Sequence, residues 1–196
     1  MTFILGLTGS IASGKTTTAG FFKEYGVPVF DADATVHRLY QDKAVPVIQR
    51  HFSQAVINGV VDRKRLSEII LHQPEKLKQL EALIHPLVQT EEEHTRQTWT
   101  EQGKPIGIID SPLLLETGGQ QRCDAVALVI VMPDIQKQRV LARPGMDEEK
   151  FNALLKKQMP DNEKRKQAHF LIDTGRGMEA AQKQVKDILR CLSVYY

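Results

Sequence analysis

The stretch from residue 3 to residue 24 constrains the fold more than any other part of this chain. Residues 9–16 read GSIASGKT and match the pattern G-x-x-x-x-G-K-[ST]. An apolar run of strand length, residues 3–7, precedes them, and residues 16–24 have the composition of a helix. A glycine-containing turn between strand and helix presents backbone N–H groups to an anion, which the helix N-terminus also attracts. The pattern therefore predicts a phosphate-binding loop rather than an ordinary strand–turn–helix.

The side chains of this loop fit a nucleoside triphosphate with its metal ion. Lys15 is expected to reach the β- and γ-phosphates. The hydroxyl of Thr16 is expected to ligate Mg²⁺. A strand before the loop and a helix after it are the context that this function requires.

Length and composition narrow the class of protein. A chain of 196 residues suits one α/β domain, with room for a small insertion. The net charge of +2 does not indicate a dedicated nucleic-acid binder. Cys123 and Cys191 lack metal-ligand or redox spacing, which favours a reducing, cytoplasmic location. No signal peptide and no stretch that could span a membrane are expected.

Strand-like segments alternate with helical stretches along the chain. This alternation predicts an α/β fold, a parallel β-sheet core flanked by helices on both faces. The most apolar segment, residues 125–132, is expected to be a central strand, and residues 178–192 are expected to form an amphipathic closing helix. The expected strands are residues 3–7, a short one ending in the acids of 31–33, then 106–110, 125–132 and 170–172.

Residues 44–103 interrupt the alternation and contain no convincing strand. Asp62 is expected to cap a helix over 63–72, and Pro74 to begin the next. His85 and Pro86 are expected to open a third, long polar helix. An insertion of this length predicts a substrate-binding subdomain, although a plain helical crossover is the alternative.

Three acids are candidates for catalysis because each is expected near the carboxyl end of a strand, where such sheets bind their ligands. Transfer of a phosphoryl group to an alcohol needs a proton acceptor and a Mg²⁺ ion held between phosphates. Asp33 is the candidate base, Asp31 its support or a contact to metal-bound water, and Asp110 the acid on the metal side. The alternative is that each acid caps the following helix.

Residues 134–166 are charged and helical, with a break at Pro144 and Gly145. Arg139 and Arg143 lie four apart, on one helical face, and are expected to contact the transferred phosphoryl group from a closing lid. Most surface arginines have no such role. Of the six histidines only His85 has a notable position, and no metal site is expected from them.

Seven segments in a fixed order make the prediction more specific. In order they are residues 6–16 (GLTGSIASGKT), 31–33 (DAD), 61–66 (VDRKRL), 83–87 (LIHPL), 110–116 (DSPLLLE), 138–143 (QRVLAR) and 158–160 (QMP). Together they resemble the dephospho-CoA kinase family, and the resemblance covers nearly the whole chain. The DAD, HP and DSPLL segments are far more specific than the phosphate loop alone.

The resemblance implies a P-loop kinase that phosphorylates the ribose 3′-hydroxyl of dephospho-CoA with ATP and Mg²⁺. It implies a cytoplasmic monomer or small homo-oligomer whose partners are small molecules, without nucleic acid or membrane. The implied layout is a nucleotide core (about 1–43, 104–133 and 167–196), a helical CoA-binding insertion (about 44–103) and a helical lid (about 134–166).

The resemblance also implies site residues. The catalytic residues are Asp33, Lys15 and Arg139. The ATP-binding residues are Gly9, Ser10, Ile11, Ala12, Ser13, Gly14, Lys15, Thr16, Thr17 and Arg143. The substrate-binding residues are Thr8, Asp31, Asp33, His85, Asp110 and Leu113. The metal ligands are Thr16 and Asp110.

Two segments of the chain depart from the usual pattern of the family. Ser10 and Ala12 replace the usual loop glycines, and a positive φ at either would cost on the order of 1 kcal/mol. Residues 173–175 (DTG) stand where many members have an Asn before Gly, so no adenine contact is assigned there.

Two other functions are alternatives to this prediction. A kinase for another small molecule is one of them. A GTP-dependent switch is the other, but the chain lacks the N-K-x-D segment that reads guanine.

Overall fold

A computed structural model of the chain describes residues 1–71 and 73–193. The chain divides into two compact units. The core unit contains residues 1–30 and the described residues from 99 onward, and the helical unit contains Asp31–Thr98. In the described residues, no helix has the length and apolarity needed to cross a membrane.

A five-stranded parallel sheet forms the centre of the core unit, which confirms the predicted α/β class. Its strands are β1 (Phe3–Gly9), β2 (Val29–Asp31), β5 (Ile106–Asp110), β6 (Ala125–Ile130) and β7 (Phe170–Asp173). They lie in the order β2-β5-β1-β6-β7, so the very apolar β6, expected to be a central strand, lies between β1 and β7. The helices of this unit are α1 (Lys15–Glu24), α6 (Pro133–Leu141), α7 (Glu148–Lys157), α8 (Asp161–Gln167) and α9 (Met178–Ser193).

Apolar side chains from the strands and from two helices make the main hydrophobic core. Strand residues such as Leu5 and Ile108 are fully buried, as near-continuous apolar runs of a covered parallel sheet should be. Phe22 contributes from α1. The buried face of α9 repeats at helical spacing, with Ala181, Val185, Ile188 and Leu192, as its amphipathic sequence predicted.

The helical unit has its own apolar cluster, which includes Leu39, Ile48, Val61, Leu66 and Leu80. Its helices are α2 (Ala32–Leu39), α3 (Val45–His51), α4 (Arg63–Ile70) and most of α5 (Pro74–Glu101). Asp62 accepts a hydrogen bond from the Arg65 N–H at 3.0 Å, which confirms the predicted cap of α4. The predicted end of that helix, His72, lies outside the described residues.

A two-stranded antiparallel hairpin in the helical unit corrects the expectation that residues 44–103 contain no strand. Its strands are β3 (Val56–Ile57) and β4 (Val60–Val61), joined by Asn58 and Gly59. Both joining residues have positive φ, 50° and 78°. An Asn-Gly pair between β-branched residues is the strongest short-range signal for this turn, so the hairpin was present in the sequence as VINGVV.

We expect Gly59→Ala to destabilise the protein by about 1 kcal/mol, since an alanine Cβ is strained at a φ of 78°. Chemical denaturation of both proteins measures the difference. Asn58→Gly is the control, because glycine adopts positive φ freely and should change stability by only a few tenths of a kcal/mol. Equal stability of Gly59→Ala and the wild type would contradict the turn geometry.

The helix α5 also corrects the prediction that His85 and Pro86 begin a new helix. Pro86 lies inside one continuous helix of 28 residues. Proline has no N–H, and a position inside a helix costs about 3 kcal/mol. Burial of Leu80 and Ile84 before it, and partial burial of Leu87 after it, explains why the helix continues.

Candidate active site

The phosphate-loop residues connect the end of β1 directly to the start of α1, as predicted. Gly14 precedes α1 with a φ of 97°, and no side chain caps this helix in the part of the chain that the structure describes. The N–H groups of the first helical turn are therefore available to an anion. A Cβ on Gly9 would lie 2.8 Å from the Val129 carbonyl oxygen, so close packing on β6 requires glycine there.

The two residues that replace usual loop glycines behave differently. Ala12 has a φ of 57°, so it carries the backbone strain expected of a side chain at positive φ, on the order of 1 kcal/mol. Ser10 is not among the described residues with positive φ. Its buried hydroxyl instead donates a hydrogen bond to Asp161 Oδ1, at the start of α8. Serine at this position therefore adds a contact rather than strain.

Two more hydrogen bonds hold the tip of the loop through the backbone of Ile11. Its N–H donates to Gln158 Oε1 at 3.0 Å. Its carbonyl accepts from Gln136 Nε2 at 2.8 Å. Gln136 lies on α6 and Gln158 immediately follows α7. The helices of 134–166 are thus tied to the loop at several points.

Lys15 and Asp110 form the central ion pair of the site, with 2.6 Å between Lys15 Nζ and Asp110 Oδ1. The sheet explains their proximity, because Asp110 ends β5 opposite Leu7 of β1, two residues before the loop begins. Asp110 is 4% exposed. Since an ammonium group has three donors, Lys15 keeps donors for phosphate oxygens beyond this bond.

Thr16 and Thr17 follow Lys15 in the first turn of α1, and both are exposed. The Thr16 hydroxyl and the Asp110 carboxylate are the hard oxygen donors that Mg²⁺ prefers. Among residues 1–71 and 73–193, no group of three His, Cys, Asp or Glu could hold a metal alone. Mg²⁺ usually takes one or two protein oxygens together with substrate phosphates and water.

Arg139 and Arg143, predicted on one face of a lid helix, have different surroundings. Arg139, on α6, donates from Nη1 to Thr174 Oγ1 and from Nη2 to the Thr174 carbonyl, both at 2.9 Å. The Thr174 hydroxyl in turn contacts the Ser13 carbonyl of the phosphate loop. Arg143 follows the end of α6 and is exposed. Only Arg139 is therefore connected to the loop.

Thr8 and Leu113 are linked in the core unit through Pro112, which Thr8 contacts and which precedes Leu113 in the chain. Thr8 is buried in β1, and its hydroxyl donates to the Pro112 carbonyl at 3.3 Å. Leu113 follows Pro112 in the chain and is 38% exposed. The 110–113 segment is thus anchored by a buried hydroxyl and presents an apolar side chain.

Three predicted residues belong to the helical unit. Asp31, the last residue of β2, caps α2 by accepting from the Ala34 N–H at 2.9 Å. Asp33 was expected at a strand end, but it lies in the first turn of α2 and is exposed. The correction follows from Asp31, whose cap begins the helix at Ala32 and so places Asp33 inside it. His85 is exposed in the middle of α5 rather than at a helix start.

A buried ion pair fixes α8, the last of the three helices within residues 134–166. Lys164 of α8 is fully buried, and its Nζ lies 2.9 Å from Glu116 Oε1, as an ion pair whose angles do not make a hydrogen bond. The same carboxylate oxygen accepts from the Met159 N–H at 2.9 Å. Glu116 therefore anchors both α8 and the segment before it to the end of the 110–116 motif.

We expect Lys164→Met to destabilise the protein by about 3–5 kcal/mol, because it leaves the Glu116 carboxylate without its buried cation. Urea denaturation measures the loss. Lys166→Met is the matched control, since Lys166 is an exposed lysine of the same helix paired with exposed Glu163, and its loss should cost about 0.5 kcal/mol or less. Similar values for the two variants would show that the Lys164 pair contributes nothing.

Several residues without a predicted role connect the phosphate loop and the helices around it. Glu116 and Gln158 were part of quoted motifs, so their positions were visible although their partners were not. Thr174 lies in the 173–175 segment, to which no contact was assigned, and Asp161 gave no motif signal. Both act through contacts with loop residues more than 150 positions away in sequence, 161 for Thr174 and 151 for Asp161.

Comparisons with known proteins agree with the resemblance seen in the sequence. The family model described as dephospho-CoA kinase matches residues 3–179. A dephospho-CoA kinase of Mesorhizobium japonicum is 50% identical over 186 residues, covering 95% of this chain and 94% of that protein. One from Brucella melitensis is 48% identical over 190 residues, covering 97% of this chain and 95% of that protein.

Solved structures share the architecture. TT1252 from Thermus thermophilus has a TM-score of 0.83 at 33% identity, covering 96% of this chain and 97% of that one. A dephospho-CoA kinase from Campylobacter jejuni has a TM-score of 0.68 at 22% identity, with 96% of each chain covered. At that identity the second match shows the fold alone.

Proposed function

The chain belongs to the dephospho-CoA kinase family, and we propose that the residues around its phosphate loop carry the family's reaction as assigned below. The reaction transfers the γ-phosphoryl group of ATP to the 3′-hydroxyl of the dephospho-CoA ribose, giving CoA and ADP. It is the final step of CoA biosynthesis. The observation that supports the assignment best is the Lys15–Asp110 pair beside a loop whose backbone donors are available.

The phosphate loop binds ATP through residues 9–17 in this proposal. The N–H groups at the start of α1 bind phosphate oxygens, and the Lys15 ammonium neutralises the β- and γ-phosphates. Asp110 keeps the lysine directed at the loop, since it accepts one of the three ammonium donors at 2.6 Å. Charge developing on the bridging oxygen is thereby stabilised by groups that are already in place.

Asp33 is the proposed general base. Its carboxylate accepts the proton of the ribose 3′-hydroxyl, whose oxygen forms a bond to the γ-phosphorus as the bond from that phosphorus to the β,γ-bridging oxygen breaks. An exposed side chain in the first turn of α2 is accessible to a substrate hydroxyl. Asp31 supports it through the cap that holds this turn.

Mg²⁺ would be held by the Thr16 hydroxyl and the Asp110 carboxylate, together with phosphate oxygens. The ion supplies charge neutralisation between the phosphates when it is bound. The donor set fits, because both protein groups are hard oxygens and both belong to the core unit.

Two arginines within residues 134–166 supply further positive charge to the phosphates in this proposal. Arg139 is placed to stabilise the transferred phosphoryl group, and its link through Thr174 to the loop supports this role. Arg143 is proposed as a second contact to ATP, and its exposed side chain leaves it accessible. Residues 134–166 then act as the lid, and water exclusion by such a lid favours transfer over hydrolysis.

Dephospho-CoA binding is assigned to the 44–103 insertion and to residues near the acceptor. Thr8, His85 and Leu113 are proposed contacts, with Asp31, Asp33 and Asp110 near the reacting hydroxyl. The exposed Leu113 and the exposed His85 are chemically suited to an apolar arm and an anionic group, respectively. A cytoplasmic location and a monomer or small homo-oligomer are part of the proposal, supported by the two free cysteines and by small-molecule substrates.

The test is an ADP-release assay with ATP and Mg²⁺, with and without dephospho-CoA. We expect release that depends on the acceptor and a product one phosphate heavier, with the phosphate at the ribose 3′ position. The matched control is 3′-deoxy-dephospho-CoA, which lacks only the reacting oxygen and should give no acceptor-dependent ADP. Release that is independent of dephospho-CoA, but dependent on a nucleoside or sugar, would overturn the proposal in favour of another small-molecule kinase.

A further inference from the structure

Thr174, which follows β7 directly, connects the phosphate loop to the lid arginine through one side chain. It is 8% exposed. Its hydroxyl contacts the Ser13 carbonyl oxygen of the loop and lies 2.9 Å from Arg139 Nη1. The second guanidinium nitrogen, Nη2, binds the carbonyl of the same threonine at 2.9 Å. The residue stands in the 173–175 segment, where many members of the family have an Asn before Gly, and the resemblance assigns it no role.

Chemistry fixes the direction of each of these hydrogen bonds. A guanidinium group only donates, so the Thr174 oxygen must accept from Arg139. A carbonyl only accepts, so the single hydroxyl proton goes to the Ser13 carbonyl, or to the more distant Ile130 carbonyl at 3.4 Å. The hydroxyl thus acts as donor and acceptor at once, and a methyl group could do neither.

The backbone that carries this side chain is itself held firmly. The Thr174 N–H donates to the Ile130 carbonyl of β6 at 3.0 Å. Gln184 of α9 binds Asp173 on both sides, accepting from its N–H at 2.9 Å and donating to its carbonyl at 3.0 Å. A hydroxyl on such a support occupies a defined position, as orientation of a charged group requires.

The same side chain also covers the loop at Gly14. A Cβ on Gly14 would lie 3.0 Å from Thr174 Cγ2 and 3.1 Å from Oγ1. Packing is therefore a second contribution of this threonine, separate from its hydrogen bonds. The test must distinguish the hydroxyl from the methyl group.

We propose that Thr174 is a positioning residue for phosphoryl transfer, because its hydroxyl holds the Arg139 guanidinium at a fixed place relative to the phosphate loop. The inference rests on the proposed role of Arg139 in the reaction. An arginine held in this way needs no reorganisation when charge develops on the transferred group, and this increases kcat rather than substrate affinity.

Two substitutions separate hydrogen bonding from packing. Thr174→Val keeps the shape and removes the hydroxyl, and we expect kcat to fall about tenfold with an unchanged KM for dephospho-CoA. Thr174→Ser keeps the hydroxyl and removes the methyl group, and it should retain most of the wild-type kcat. Thr98→Val, at a half-buried helical threonine whose hydroxyl binds the His94 carbonyl, controls for the substitution itself. Valine tolerated and serine impaired would overturn the inference in favour of packing.

A double-mutant cycle with Arg139→Ala tests whether Thr174 acts through the arginine. We expect Thr174→Val to lower kcat about tenfold in the wild-type background and to have little further effect in Arg139→Ala. Equal losses in both backgrounds would overturn the inference while leaving the role of Arg139 intact. A normal kcat for Arg139→Ala alone would instead overturn the proposed role of the arginine, and the inference with it.

Discussion

Lys15→Ala is expected to lower kcat/KM for ATP by about 10²- to 10³-fold, the usual cost of removing a preorganised charge from a phosphoryl-transfer site. Both the affinity for ATP and kcat should fall, because the lysine binds phosphate in the ground state and stabilises charge in the transition state. Calorimetric titration with a non-hydrolysable ATP analogue measures the first effect, and the ADP-release assay measures the second.

The substitution also removes the ion pair of the buried Asp110 carboxylate, so part of any loss could reflect folding. Thermal unfolding of Lys15→Ala therefore accompanies the kinetics, and activities are compared well below its melting temperature. Lys23→Ala is the matched control, because Lys23 is an exposed lysine at the other end of the same helix. Wild-type affinity and rate for Lys15→Ala would mean that residues 9–16 do not bind the phosphates.

Asp33→Asn is expected to lower kcat by about 10²-fold or more and to leave ATP binding nearly intact. The amide has the shape of the carboxylate but cannot accept the proton of the ribose hydroxyl. The measurement is kcat under saturating ATP and dephospho-CoA, with ATP affinity determined separately. Turnover near the wild-type value would show that another group takes the proton.

The control for Asp33→Asn must reproduce the effect of this substitution on stability. Asp33 is an acid in the first turn of α2, so its neutralisation also removes a favourable interaction with the helix dipole, about 0.3–1 kcal/mol. Glu75→Gln makes the same change in the first turn of α5, at another exposed acid of the helical unit. Only Asp33→Asn should lose turnover, whereas both variants should lose a little stability.

Local sequence patterns were sufficient for the parts of the structure that local interactions determine. The strand–loop–helix of residues 3–24, the α4 cap at Asp62 and the apolar face of α9 each depend on residues within a few positions of one another. The hairpin at Asn58 and Gly59 depends on equally local interactions, so the Asn-Gly pair was sufficient to predict a hairpin that was not predicted.

The predictions from sequence were wrong or incomplete where packing, or contacts between residues far apart in the chain, determine the structure. A proline usually ends a helix, but the cluster around Ile84 continues α5 through Pro86. The contacts of Glu116 with Lys164 and of Thr174 with Ser13 join residues that are far apart in sequence. No spacing rule predicts such pairs, because they form only when the sheet brings strand ends together.

The hydrogen bond between Ser10 and Asp161 has a consequence for protein engineering. Transplanting this loop alone into another protein would separate the serine hydroxyl from Asp161. Replacing Ser10 with glycine would leave Asp161 without the hydroxyl that it now binds. The two residues, 151 positions apart, form one contact, so chimeras that exchange either segment should exchange both.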